Sequence, residues 1–269
     1  MQPDTPTSGS LELIFLGSGT SQGIPMIACR CPVCRSDDPR DKRLRAGAAI
    51  CLPPGQPTDG RIILIDVPPD LRTAVLANDL PRVDAILLTH AHADHIMGMD
   101  DVRRFNDIFK RQIPCYAAAK WLEMARRCFS YADHPFRTDG WPSIGFEVID
   151  GPREICGALV RPVPIQHGRE MILGYRIGKL AYCTDCSGIP ESSMPLLEGL
   201  DVLVLDALRY SPHFAHFNID QAVEMIGRLK PRRAILTHIA HEVMHARASS
   251  QLPAGVELAY DGLRVKAPL

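Results

Sequence analysis

An apolar, β-branched run from Val83 to Thr89 leads without a break into His90-Ala91-His92-Ala93-Asp94-His95, and no other feature constrains the chain as much. Residues two apart in an extended segment point the same way, so His90 and His92 can grip one cation together. The turn into a following helix then aims Asp94 and His95 elsewhere. Four ligand-type side chains in six residues suit two metals side by side, and Ala91 and Ala93 leave room for close approach. Such a site needs more ligands than the run contains. The sequence offers them where strands end: His167 after Val160 to Ile165, Asp185 after Leu180 to Cys183, and His238 after Ile235-Leu236-Thr237. Sheet edges of this kind carry the active sites of α/β proteins.

The remaining pattern agrees. Short aliphatic runs at Leu11 to Leu16, Ile62 to Asp66, Ile172 to Ile177, Val202 to Asp206 and Ala234 to Thr237 read as strands, several of them buried on both faces. Helical spacing recurs at Pro69 to Ala77, Ala118 to Ser130, Pro190 to Glu198 and Ile219 to Leu229. The alternation is that of an α/β protein with helices outside its sheets. Leu52 to Gly60, rich in Pro and Gly, reads as a long hairpin loop because single strands flank it, and Tyr131 to Trp141 reads as a surface loop. We expect one domain over residues 1–269, with 1–10 a flexible extension.

Lys plus Arg number 30 against 31 Asp plus Glu, a formal charge of -1, so net charge points to neither a nucleic-acid nor an anionic-membrane partner. The start of the chain has no basic, apolar leader, and no window reaches the roughly 18 apolar residues of a membrane span. A cytoplasmic protein is expected, and an odd count of nine cysteines fits a reducing compartment.

That bears on Ala28-Cys29-Arg30-Cys31-Pro32-Val33-Cys34, where three cysteines fall within six positions. Compartment argues against a disulfide, and the βαβ setting of a redox motif is missing. A metal clip remains, one ligand short. Cys183-Thr184-Asp185-Cys186 is formally a C-x-x-C, but its aspartate is already committed to the strand-end cluster. Cys51, Cys115, Cys128 and Cys156 read as small buried hydrophobes. The loop Leu16 to Pro25 contains Gly17-Ser18-Gly19, yet Gln22 stands where a dinucleotide fingerprint needs glycine.

Taken together, HAHADH, His167, Asp185 and His238 resemble the metallo-β-lactamase superfamily. That resemblance implies a four-layer αββα sandwich with a dinuclear site. It implies that His90, His92 and His167 hold one metal, that Asp94, His95 and His238 hold the second, and that Asp185 bridges them. Imidazole and carboxylate ligands suit Zn, Mn or Fe. The opening loop with CRCPVC, together with Leu236 to His241, resembles the PhnP-like branch, the cyclic-phosphate phosphodiesterases of phosphonate metabolism. This implies a structural zinc on Cys29, Cys31, Cys34 and His241, a general acid or phosphate ligand at His216, and a homodimer.

The expected activity is phosphodiester hydrolysis by a metal-bridged hydroxide, on a small phosphorylated substrate such as a phosphoribosyl 1,2-cyclic phosphate. Asp94 can accept a hydrogen bond from the attacking water, and His216 can assist the leaving alkoxide. His213 and the basic residues Arg103, Arg104, Arg169 and Arg209 are candidate substrate contacts, Arg209 foremost. A hydrolase of another ester class (an RNA 3′ end, a lactone or a thioester) and a non-catalytic metal scaffold are the alternatives.

Overall fold

The computed structural model describes residues 9–269. The expected N-terminal extension therefore falls outside the described residues apart from Gly9 and Ser10, and Ser10 already opens the first strand.

Two seven-stranded mixed sheets stack face to face. The first contains β1 (Ser10–Gly17), β2 (Gly47–Cys51), β3 (Ile62–Ile65), β4 (Ala85–Leu87), β5 (Ile113–Ala117) and β6 (Ile144–Val148), with the C-terminal β14 (Arg264–Pro268) beside β1. The second runs from β7 (Arg153–Ile155) through β8 (Ala158–His167), β9 (Glu170–Ile177), β10 (Leu180–Cys183), β11 (Val202–Asp206) and β12 (Arg233–Thr237) to β13 (Val256–Leu258). Each sheet is antiparallel on one side and parallel on the other. In the first, β3 to β6 are parallel. In the second, β10 to β13 are.

Side-chain alternation along the strands builds the layers. In β11, Val202 and Val204 face the inter-sheet core with Leu13, Phe15, Ile63, Tyr175 and Ile235. Leu203 and Leu205 face outward into a cluster with helical side chains. The covering helices are α1 (Leu71–Ala77), α2 (Ala93–Ile96), α3 (Arg103–Phe109), α4 (Ala119–Cys128), α5 (Ile219–Leu229) and α6 (His245–Ser249). In α5, Ile219, Ala222, Met225, Ile226 and Leu229 form the buried stripe. Its N-terminus is closed by a capping box between Asn218 and Gln221. The αββα sandwich expected from the sequence is the fold observed.

Several elements differ from the sequence reading. Pro190 to Glu198 is not an α-helix but a 3-10 segment, Glu191–Leu197, with Pro195 inside it; proline removes an amide donor and blocks the wider helix. β2, Gly-Ala-Ala-Ile-Cys, is recruited by pairing on both sides despite poor strand formers. β8 carries Pro162 and Pro164, tolerated because β7 pairs only with Ala158 to Val160 and the next bridge on that side is at Gln166, which leaves both prolines on an edge. Cys128, expected to be buried, is exposed: α4 ends there and Phe129 takes the inward position. Cys115 is buried, whereas Cys51 and Cys156 are partly covered. Leu52 to Gly60 does link antiparallel strands, as expected.

Candidate metal centre

The C-terminal ends of β4, β8, β10, β11 and β12 converge on one edge of the sandwich, and every strand-end candidate arrives there. His90, His92 and His167 bring ligand atoms within 4.8 Å of one another, as do Asp94, His95, Asp185 and His238. The two groups abut, with the His90 and His95 rings 4.2 Å apart. Asp185 stands between His95 and His238, one oxygen 3.3 Å from His95 Nε2 and the other 3.4 Å from His238 Nε2. Asp94 lies 3.2 Å from His95 Nε2.

Hydrogen bonds set the ring tautomers. Thr89 Oγ1 donates to Asp66 Oδ2 at 2.8 Å, so its contact with His90 Nδ1 at 3.0 Å must be an acceptance from the ring. His90 Nε2 is thereby left with its lone pair. His95 Nδ1 donates to Asp66 at 2.7 Å and His167 Nδ1 to the Ala215 carbonyl at 3.0 Å, which leaves both Nε2 atoms as acceptors. His95 Nε2 and His238 Nε2 are buried without hydrogen-bond partners. Buried acceptors facing carboxylates are what a divalent cation satisfies, so the residues present fit such a group.

The buried carboxylates draw positive charge to the centre. Burial favours the neutral His95 ring, but Asp185, Asp66 and Asp94 together override it and raise its pKa well above the usual value. Asp185 is held well below the carboxylate range: burial opposes ionisation, and His238 and His95 outweigh it. Burial lowers His90 and His167, and brings His238 to about 4.

His216 stacks on His238, with ring centroids 4.7 Å apart, and donates from Nδ1 to Asp206 Oδ2 at 3.2 Å. Burial pushes Asp206 up to about 7 against the pull of His216, and Asp206 in turn raises His216 despite its own burial. His216 borders a cleft of about 250 Å³ shared with Ser21, Gln22, Arg209, His213 and Glu242. A larger hollow of about 490 Å³ lies between residues 53–58 and Leu269, and among the described residues none of the possible metal-ligand groups lines it. Of the candidate arginines, Arg209 alone lines the His216 cleft. Arg103 pairs with Asp100, Arg104 borders a groove beside α1, and Arg169 is exposed in the β8–β9 turn.

Sequence reasoning missed Asp66, Thr89, Asp206 and Trp121. A signal existed for the two aspartates, because both close apolar strands as Asp185 nearly does. Trp121 walls the centre edge-on, 5.7 Å from His90 and 5.9 Å from His92, with Nε1 donating to Met171.

A separate cluster joins Cys29, Cys31, Cys34 and His241, with ligand atoms again within 4.8 Å. Cys29 Sγ and Cys31 Sγ each lie 3.4 Å from His241 Nδ1. The Cys34 amide donates to Cys31 Sγ and the Met26 amide to Cys34 Sγ, both at 3.4 Å. Amide donors of this kind favour thiolate, and three sulfurs with one imidazole match a closed tetrahedral zinc set. Burial pushes up the Cys34 thiol to about 11 and, outside the clip, the thiols of Cys183, to about 12, and Cys186.

A family model described as a β-lactamase superfamily domain matches residues 61–239. The chain belongs to the metallo-β-lactamase superfamily. Within it, a crystal structure described as a new diphosphatase from the PhnP family has a TM-score of 0.86 and 41% identity, covering 95% of this chain and 97% of that one. The PhnP-like branch is thereby established. An octanoyltransferase from Porphyromonas gingivalis (strain ATCC BAA-308 / W83) is 36% identical over 94% of this chain, which spans 51% of that protein's length. A coenzyme PQQ synthesis protein B from Methylobacterium nodulans is 28% identical over 225 residues, 73% of this chain and 72% of that one. The chain thus has the metallo-β-lactamase fold, and its two histidine–aspartate groups are side chains that could hold divalent metal. Among the described residues no helix is long and apolar enough to cross a membrane.

Proposed function

We propose that this PhnP-like protein is a dinuclear phosphodiesterase acting on a small phosphorylated substrate, of which a phosphoribosyl 1,2-cyclic phosphate is the leading example. The observation that carries the reading is the pair of abutting ligand clusters with the Asp206–His216 dyad at their edge. His90, His92 and His167 would hold one cation, Asp94, His95 and His238 the other, and Asp185 both. Zinc or manganese suits these ligands, and zinc the cysteine clip. When bound, two such cations lower the pKa of water and neutralise charge on phosphoryl oxygens.

The chain's own groups supply orientation and proton handling. Asp94, its side chain 15% exposed, would accept a hydrogen bond from the attacking water. Asp66 and Thr89 hold His95 and His90 in the tautomers that keep Nε2 free. With Nδ1 engaged by Asp206, His216 has Nε2 left to protonate the departing oxygen in the cleft. The name of the 41% identical relative supports phosphorus as the electrophile and makes a diphosphate bond the second reading. Nine free cysteines are consistent with a cytoplasmic setting, and a homodimer is the proposed assembly.

The test is a panel of cyclic phosphates, linear phosphodiesters, diphosphates, lactones and thioesters, with metal content measured on the same sample. Turnover of a ribose cyclic phosphate with about three metals per chain is expected, and silence on every phosphorus ester overturns the reading. His216→Ala should lower kcat on alkyl esters about 10²- to 10⁴-fold. Asp185→Ala should bring turnover to background with the fold intact by circular dichroism.

A further inference from the structure

The two halves of the cysteine–histidine clip are 212 residues apart in sequence, from Cys29 to His241. Arg43 lies between them, its side chain 0% exposed. Its backbone pairs in both directions with Ile24 at 2.8 Å, which fixes the entry to the cysteine loop. The adjacent Lys42 donates to the Cys34 carbonyl at 3.4 Å. The Arg43 guanidinium reaches the other way: Nη1 donates to the Ala240 carbonyl at 3.3 Å and Nη2 to the Val243 carbonyl at 2.9 Å, and these carbonyls bracket His241. Asp41 Oδ1 accepts from Nη2 at 3.0 Å and from the His245 amide at 2.8 Å.

Burying a guanidinium costs several kcal/mol unless its charge and donors are matched, and an apolar side chain could fill the same volume without that cost. What an apolar side chain cannot do is hold two carbonyls of one turn with a planar fork. The same residue thus ties the cysteine loop through its backbone and the histidine turn through its side chain.

We propose that Arg43 is a positioning residue for the clip, holding the His241 turn against the cysteine loop so that the four donors are in register before metal binds. The proposal rests on the cluster being a metal clip. Cobalt(II) titration of the full chain reads the clip by itself, because thiolate-to-cobalt charge-transfer absorption needs sulfur ligands and the histidine–aspartate clusters have none. Arg43→Met is expected to weaken cobalt affinity at that band about 10- to 100-fold, the range for residues that orient metal ligands. Arg43→Lys should recover part of it, since an ammonium still reaches one carbonyl. Leu87→Ala, deep between the sheets, lowers stability without touching either loop and should bind cobalt at the band as the unsubstituted chain does.

Unchanged affinity in Arg43→Met, or an equal loss in Leu87→Ala, overturns the proposal. If Arg43→Met does not fold, Asp41→Asn removes the ion pair and should give a smaller loss of cobalt affinity; no loss there also overturns it. Absence of the band in the unsubstituted chain would overturn the clip reading itself, a separate result.

Discussion

Thr89 shows how much of the metal centre depends on one hydroxyl. By donating to Asp66 and accepting from His90, it decides which nitrogen of His90 faces the cluster. Asp66, Asp185 and His238 all adopt left-handed backbone conformations, with φ of 61°, 54° and 60°. Such conformations are uncommon for residues other than glycine and are held here by the surrounding bonds. His245, beside the Arg43–Asp41 pair, is a residue whose ionisation opposes folding. Burial, reinforced by Arg40 and Arg43, holds it down at about 4 from an ordinary 6.5. The unfolded chain takes up this proton first, so the stability is whole above pH 6.5 and is lost as pH falls toward 4. Between pH 7 and pH 4 the unsubstituted chain should lose about 1–2 kcal/mol more than His245→Gln, a figure reduced for solvent screening. Chemical denaturation at stepped pH measures the difference.

At the scale of elements, the site depends on how tightly α2 is set against the loop after β3. Gly98, just beyond α2, donates its amide to the Val67 carbonyl at 2.9 Å, and a Cβ built there would meet the Pro68 carbonyl oxygen at 2.1 Å. Its φ of -89° suits any residue, so the requirement is space. Gly98→Ala must displace either the Pro68 loop or the helix that carries Asp94 and His95. We expect a loss of about 1–3 kcal/mol, visible as a lower Tm. Nothing in Met97-Gly98-Met99 announces this, because the clash is with a segment about thirty residues away in sequence. The same holds for β2 and β5. Gly-Ala-Ala-Ile-Cys and Ile-Pro-Cys-Tyr-Ala carry weak strand signals, and they are strands because neighbours supply the ladder.

Across the whole molecule, the centre joins two sheets: His90 to His95 follow β4 of the first, while His167, Asp185 and His238 come from β8, β10 and β12 of the second. The sheets must therefore stay in register. Tyr175, buried in β9, donates its hydroxyl across the interface to the Leu88 carbonyl at 2.6 Å, two residues before His90. Tyr175→Phe leaves that buried carbonyl without this donor and should cost about 1–2 kcal/mol in urea unfolding. The sequence by itself determined the layer pattern, the superfamily and all seven residues of the two histidine–aspartate groups. The α/β alternation and the ligand types at strand ends are local features of the chain, whereas the four-layer sandwich and the superfamily followed from the resemblance of those motifs to a known family. Cys29, Cys31 and Cys34 were likewise legible, since they lie within one short loop. Only the tertiary structure decided that Asp66 and Asp206 orient His95 and His216, that Arg209 alone of the candidate arginines reaches the cleft, and that Arg43 spans the clip. The physical reason is common to all three: each depends on which distant backbone or side-chain group faces a given atom, and periodicity along a chain carries no record of its neighbour across a sheet.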